Sequence, residues 1–333
     1  MTRPPVPEWA PHQAVWIGFP SHAELWEDDL APAQDEVAAF AGAVHAGGKG
    51  EAVWLVAADE AAANAARRLA PFAKVIIEPF GDIWLRDTAA IVLGSGRQRR
   101  GVDFAFNGWG GKYDLPGDDT IGARLAAEAG LPCSSAPWIL EGGAIDGDGS
   151  GTVVTTEQCL LNPNRNPALS QADIEARLKA GLGIKKLIWL GDGLLNDHTD
   201  GHIDNIARFI APGVVACMEP SGADDPNSEA LRAIIAELKT ATDVHGRKLE
   251  VYTVPSPGLV ADEEGEPIPA SFMNFYIANT TVIVPVYGTR YDDAAVASLA
   301  GLFPGRRVVA SRADHILTGG GSFHCITQQQ PLV

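Results

Sequence analysis

The chain has 333 residues, 46% of them hydrophobic and 20% charged, enough apolar material for a substantial core. Its formal net charge of −17 argues against nucleic acid or an anionic membrane as a partner and would draw in a cationic small molecule. Cys133, Cys159, Cys217 and Cys325 lie far apart with no C-x-x-C, which excludes a zinc ribbon and a redox pair.

No apolar run approaches the roughly 18 residues of a membrane span. The opening Met1-Thr-Arg-Pro-Pro-Val-Pro lacks the apolar stretch of a secretory leader, so the expected compartment is the cytoplasm. Residues 14–20 (Ala-Val-Trp-Ile-Gly-Phe-Pro) read as a buried strand. Val37, Phe40, Ala41 and Val44 recur at i, i+3, i+4 and i+7, which predicts an amphipathic helix. Strands are predicted at 52–57 and 74–78, with an alanine-rich helix over 59–69 between them. Strands alternating with helices point to an α/β fold.

After residue 80 one grammar recurs: a polar-studded strand, a turn, a returning strand, a helix, then another β-rich segment. The first hairpin is Ile83–Leu93, turned at Gly94-Ser95-Gly96. The second is Leu140–Ile145, turned over 146–149 and returning through Thr152–Thr156. The third is His202–Ile210, turned over 211–213 and returning through Val214–Met218. The fourth is Phe272–Ile277, turned over 278–280 and returning through Val282–Val286. Ser170 with Asp173 predicts a capping box, and Leu231, Ile234, Ile235 and Leu238 mark a further helix, as do Val296, Leu299 and Phe303. With a last glycine-rich strand near 320, the repeat is roughly 50 to 70 residues, compatible with propeller-like modules about an axis. No linker divides the chain, so residues 1–333 read as one domain.

The first strand of each module carries the chemistry. Gly319-Gly320-Gly321 lets backbone approach a ligand, and His324-Cys325 follows within four residues. Cys325 is a candidate nucleophile, because backbone N–H groups or an imidazolium can draw a thiol toward thiolate. The alternative is a small apolar residue closing a core strand. Asp87 is a candidate carboxylate, or the ion-pair partner of Arg86. Glu141-Gly142-Gly143 is a second candidate, or a turn. Strand alternation would point His202 and Asp204 the same way, toward a guanidinium or, as the rival, a divalent metal. A planar, permanently charged guanidinium would neutralise several acids without a metal, and its N–H groups match carboxylates in pairs. Trp84 and Trp109 are either core aromatics or apolar walls for a substrate stem. His198, His315 and His324 read as structural or supporting residues, and Cys133, Cys159 and Cys217 as core.

Five ordered motifs carry a resemblance. They are Trp84-x-Arg86-Asp87-Thr88, Leu140-Glu141-Gly142-Gly143, Asp200-Gly201-His202-Ile203-Asp204-Asn205, Asn274-Phe275-Tyr276-Ile277-Ala278-Asn279, and Gly319-Gly-Gly-x-x-His324-Cys325-Ile326-Thr327-Gln328-Gln329. With Glu8-Trp9-x-Pro11-His12, Phe106-Asn107-Gly108-Trp109-Gly110-Gly111 and Asn162-x-x-Arg165-Asn166-Pro167, the chain resembles the agmatine deiminase family end to end. That family groups with the Porphyromonas-type peptidylarginine deiminases among guanidine-modifying enzymes. The resemblance implies a five-bladed α/β propeller (pentein) of ββαβ modules, no cofactor and no metal, and homodimers.

It also implies hydrolysis of agmatine to N-carbamoylputrescine and ammonia through a covalent amidino-cysteine, in putrescine and polyamine biosynthesis. Cys325 would be the nucleophile and His202 the general acid and base. Asp87 and Asp204 would clamp the guanidinium, and Glu141 would support His202. Trp84, Trp109, Asn274 and Gly320 would line the substrate pocket. The sequence departs from the family's usual residues at Ala89-Ala90, at Ala144 and in Asp197-His198-Thr199-Asp200-Gly201. The alternatives are a deiminase of free or peptidyl arginine, and an amidinotransferase of the same fold.

Overall fold

The computed structural model describes residues 4–94 and 96–332. Met1–Arg3, at the start of the opening segment, and Ser95, the middle of the first expected turn, lie outside the described residues. The strands in chain order are β1 (His12–Gly18), β2 (Ala52–Ala57), β3 (Lys74–Ile77), β4 (Ile91–Leu93), β5 (Arg100–Ala105), β6 (Cys133–Ile139), β7 (Asp146–Gly147) and β8 (Thr152–Thr156). They continue as β9 (Lys186–Leu190), β10 (Ala207–Ala211), β11 (Val214–Glu219), β12 (Glu250–Pro255), β13 (Tyr276–Ile277), β14 (Thr281–Val286), β15 (Arg307–Arg312) and β16 (Thr327–Pro331).

Among the described residues these strands form five small sheets: β16-β1-β2-β3, β4-β5-β6, β7-β8-β9, β10-β11-β12 and β13-β14-β15. In each, the first two strands run antiparallel and the next pairs in parallel after a helical crossover. The crossovers are the helices Leu30–His45, Ile121–Glu128, Gln171–Leu182, Ser228–Thr240 and Asp292–Leu302. The C-terminal strand β16 completes the N-terminal sheet by pairing with β1, as in Trp16 opposite Gln328.

Local sequence explains these elements. The Ser170 hydroxyl accepts the Asp173 N–H while Asp173 reaches back to the cap, the reciprocal bonding of a capping box. The same helix stops where Gly183 takes a left-handed conformation, φ 67°. Asp59 caps Glu60–Leu69 through the Ala62 N–H at 2.8 Å. All six residues of β14 are buried, so it reads as a continuous apolar run rather than an alternation. No helix among the described residues is long and apolar enough to cross a membrane.

The expected hairpins start too early. Leu85–Thr88 is a single helical turn, and the first strand proper is only Ile91–Leu93. Gly142–Ala144 and Ile203–Asn205 are short 3₁₀ turns ahead of β7 and β10. Residues 272–273 and 323–326 are likewise turns, ahead of β13 and β16. So the chemistry-bearing residues sit in the turn that enters each edge strand, not on the strand itself. Cys133, expected in the core, is exposed.

Candidate active site

The five entry turns converge and are stitched to one another. The Arg86 N–H donates to the Cys325 carbonyl at 2.9 Å, and the Gly143 N–H donates to Asp87 Oδ1 at 2.9 Å. Asn274 Nδ2 donates to Asn205 Oδ1 at 2.8 Å and to the Cys325 sulfur at 3.0 Å. Asn274 Oδ1 accepts the N–H groups of His324 and Cys325, at 2.9 and 3.2 Å. One amide side chain therefore fixes both the backbone and the sulfur of the cysteine turn.

Cys325 Sγ lies 3.7 Å from Asp204 Oδ2. His202 Nδ1 lies 3.7 Å from Asp87 Oδ1. A methyl group placed on Gly143 would sit 2.6 Å from His202 Nδ1, 2.9 Å from Asp87 Oδ1 and 3.0 Å from Asp204 Oδ2. That point lies within 3.0 Å of all three groups, so they can converge this closely only because residue 143 has no side chain. His202, Asp204 and Glu141 are wholly buried, and both His202 ring nitrogens, Asp204 Oδ1 and Glu141 Oε2 have no hydrogen-bond partner. Buried polar atoms without partners are costly, and a cluster of them around a gap marks a place for a polar ligand.

Above this floor lies a cavity of about 160 Å³, lined by Cys325, Asp87, Trp84, Trp109, Tyr113 and His198 among others. Asp82 sets its aromatic wall: its carboxylate accepts the Trp26 and Trp84 indole N–H groups at 3.0 and 2.6 Å. Trp109 takes a left-handed conformation, φ 52°, between glycines and donates its indole N–H to Asp87 Oδ2 at 2.9 Å. The triple glycine packs on Trp84: a methyl on Gly319 would meet its ring at 2.7 Å. Gly320 has φ +97° and faces His198, whose ring accepts or donates a bond with the Tyr113 hydroxyl at 2.9 Å. Among the described residues no lysine or arginine lines this cavity.

The charges here are held against their preferences. Burial pushes the Cys325 thiol well above its ordinary value, and the Asp204 and Asp87 carboxylates push the same way. Burial also raises Asp87; His202 draws it back only in part, and Asp204 adds to the rise. For His202, burial opposes the charged ring, but the Asp87 carboxylate, joined by Cys159 and Glu141, carries it well above the usual imidazole range. Burial would raise Asp204 too, yet the bond and charge of His324 hold it below the usual carboxylate range. A cation entering this gap would relieve Asp87 and favour the thiolate of Cys325.

Every site residue expected from the sequence reaches this region, but not as first reasoned. Arg86 is not the partner of Asp87. Its guanidinium turns away to Glu8 at 3.2 Å, Gln328 at 3.1 Å, Gln329 at 2.8 Å and Thr327 at 3.2 Å. Glu141 is bound by Arg165 Nε at 2.6 Å, and Arg165 also holds Asp200 at 2.6 Å. Sequence reasoning gave no role to Asp82, Arg165 or Glu8, although all three stand in or beside the quoted motifs. A buried carboxylate needs a partner, and that was the available signal.

For a metal, Glu141, Cys159 and His202 offer ligand atoms all within 4.8 Å of one another. Arg165 already neutralises Glu141, and Asp87 already favours the charged form of His202. The cluster is more simply an acid–base group than a metal centre.

The profile of the Porphyromonas-type peptidyl-arginine deiminase family matches residues 5–331 of this chain. An agmatine deiminase of Stutzerimonas stutzeri is 39% identical over 349 residues, covering 97% of this chain and 94% of the relative. The solved agmatine deiminase of Enterococcus faecalis superposes with a TM-score of 0.93 at 33% identity, covering 99% of this chain and 96% of that one. A C. jejuni agmatine deiminase with substrate bound superposes at 0.90 with 28% identity, covering 99% and 96%.

Proposed function

Because the chain belongs to the Porphyromonas-type peptidyl-arginine deiminase family, we propose that it hydrolyses agmatine to N-carbamoylputrescine and ammonia. The observation that carries this reading is the convergence of His202, Asp87 and Asp204 on Gly143 beside the Cys325 sulfur. Two carboxylates and an imidazole next to a thiol suit a flat cation.

Asp87 and Asp204 clamp the guanidinium by paired hydrogen bonds. The bound cation stabilises the Cys325 thiolate, which adds to the central carbon. The charged ring of His202 gives its proton to the departing nitrogen, and ammonia leaves an amidino-thioether. The neutral ring then takes one proton from water and the hydroxide adds to the same carbon; as the thiolate departs, the new hydroxyl loses its proton to solvent, where ammonia takes it up, leaving the ureido product. Glu141, held by Arg165, supports His202. Trp84, Trp109, Asn274 and Gly320 shape the pocket.

Agmatine is favoured over arginine because an α-carboxylate would call for a cationic wall, and among the described residues neither lysine nor arginine lines the cavity. The five like-ordered sheets support a single domain in the form of a five-bladed propeller of ββαβ modules. A cytoplasmic enzyme of putrescine supply, working without a cofactor or nucleic acid and pairing into a homodimer, completes the proposal. Ammonia release measured with agmatine, free arginine and an arginyl peptide tests it, with trapping of a covalent mass increment on Cys325. Agmatine should be turned over fastest; turnover of arginine or the peptide in preference would replace this reading by one of its alternatives.

A further inference from the structure

Beneath Asp204 the His324 ring lies between two carboxylates and is almost fully buried. Its Nδ1 is 2.6 Å from Asp204 Oδ2, and its Nε2 is 2.9 Å from Glu8 Oε2. Ionised carboxylates only accept hydrogen bonds, so the ring meets both neighbours only when each nitrogen carries a proton. Glu8 is itself secured. Its Oε1 accepts the Ile277 N–H at 2.8 Å and faces Arg208 at 3.0 Å, and its Oε2 faces Arg86 at 3.2 Å. Arg208 continues to Asp146 at 2.7 Å. The signs alternate from the cavity floor downward: Asp204, His324, Glu8, then two guanidiniums and Asp146.

The site needs such an anchor. Two carboxylates facing one gap repel, and in an empty pocket one of them tends to take up a proton. Asp87 accepts hydrogen bonds from an indole and a backbone N–H, with the His202 ring farther off at 3.7 Å, and it is the one pushed upward. Asp204 has the His324 ring nitrogen on Oδ2 at 2.6 Å and leaves Oδ1 free.

We propose that Glu8 and His324 are positioning residues, whose ion pair keeps Asp204 ionised and aimed at the substrate before the guanidinium arrives. The N-terminal segment carrying Glu8 is then part of the active site, although it lines the opposite side of the hub from the substrate cavity. Only the kinetic part of the test rests on the guanidine-hydrolase reading.

Histidine-selective ¹⁵N NMR of the full-length protein decides the charge state without turnover. At neutral pH both His324 nitrogens, each facing a carboxylate oxygen, should carry protons, assigned by their loss in His324→Gln. In Glu8→Gln one of them should be bare. The groups facing the ring that could confuse this are Asp204, Glu8, Arg86, Arg208, Asp146 and the adjacent Cys325. A bare ring nitrogen in the wild type at this pH overturns the proposal.

Kinetically, Glu8→Gln and His324→Gln should each raise KM for agmatine by about 10- to 100-fold, the weight of a charged hydrogen bond, with a smaller fall in kcat. A role in folding alone would lower Tm and leave KM in place, and that result would refute positioning. If the wild type releases no ammonia from agmatine, the proposed function fails while the NMR result still judges this one.

Discussion

The two sides of the hub treat buried charge in opposite ways. On the base, all three Arg86 nitrogens find acceptors, and both Glu8 oxygens face cations or an N–H. Burial works to raise Glu8, but Arg208, His324 and Arg86 bring it well below its ordinary value. On the cavity side, His202, Asp204 and Glu141 each keep a bare polar atom, and Asp87 is pushed up. Asp146, where burial outweighs Arg208, and Gln328, whose Nε2 has no partner, are the base's exceptions. The better-satisfied side contributes rigidity; the unsatisfied side waits for a ligand. Apart from Glu8 and His324, which reach the cavity floor through Asp204, replacing residues on the two sides should therefore separate rate from stability.

The largest loss should follow Cys325→Ser, on the order of 10⁴-fold in turnover or more, as when a nucleophile is removed elsewhere. Tm should stay within a few degrees of wild type, because the sulfur contributes little to the base network. A folded variant retaining a tenth of normal ammonia release would strip Cys325 of the nucleophile's role. Next comes Gly143→Ala. Its added methyl would press on His202, Asp87 and Asp204 at 2.6–3.0 Å, so these groups must part. Misplacing a catalytic constellation by even an ångström costs about 100-fold. Near-normal kcat/KM in this variant would mean that the close spacing of His202, Asp87 and Asp204 around residue 143 does not govern turnover.

These groups were readable from sequence as residue types and order, but not as geometry. The recurrence of a polar stretch every module located Asp87, Glu141, His202, Asn274 and Cys325, because each entry turn needs glycine or a cap beside its functional side chain. Alternation along a strand was the wrong reason for pairing His202 with Asp204. The 3₁₀ turn Ile203–Asn205 brings them together instead. The base was nearly illegible. Glu8 and His324 are 316 positions apart, and their 2.9 Å contact arises from the closure of the N-terminal sheet by the C-terminal strand. Arg86 shows the same limit: its neighbour Asp87 looks like a partner until the turn sends the two side chains to opposite sides of the hub.

On the base, the outcome should reverse. Arg86→Lys keeps the charge but cannot reproduce a fork reaching Glu8, Thr327, Gln328, Gln329 and the His324 carbonyl. It should cost about 2–3 kcal/mol of stability, read by chemical denaturation, since partly breaking a buried ionic network is expensive. The folded fraction should lose less than about tenfold in kcat, because Arg86 does not line the substrate cavity. A variant as stable as wild type but catalytically dead would collapse the distinction between the two sides.

The smallest effect concerns pH and the outer wall of the cavity. Asp118 Oδ1 accepts the Gly81 and Asp82 N–H groups, while its Oδ2 is buried without a partner. Burial pushes Asp118 up to about 7 and Asp82 up to about 6. Between the ordinary carboxylate range and neutrality, the folded protein thus binds protons that the unfolded chain has released. Stability from these two groups is fully present below about pH 4 and is lost as pH rises through 6 to 7. His202 adds to the same trend at higher pH, since its folded value is raised and its contribution fades as the ring deprotonates. Glu8 and Asp204 act in the opposite window: their lowered values give stability that is lost only on acidification below the usual carboxylate range. Wild type should therefore melt a few degrees lower at pH 8 than at pH 5, and Asp118→Asn should flatten that slope by about 3 °C. A slope unchanged in Asp118→Asn would mean that the wall carboxylate titrates normally, and that the contrast between the two sides ends at the catalytic residues.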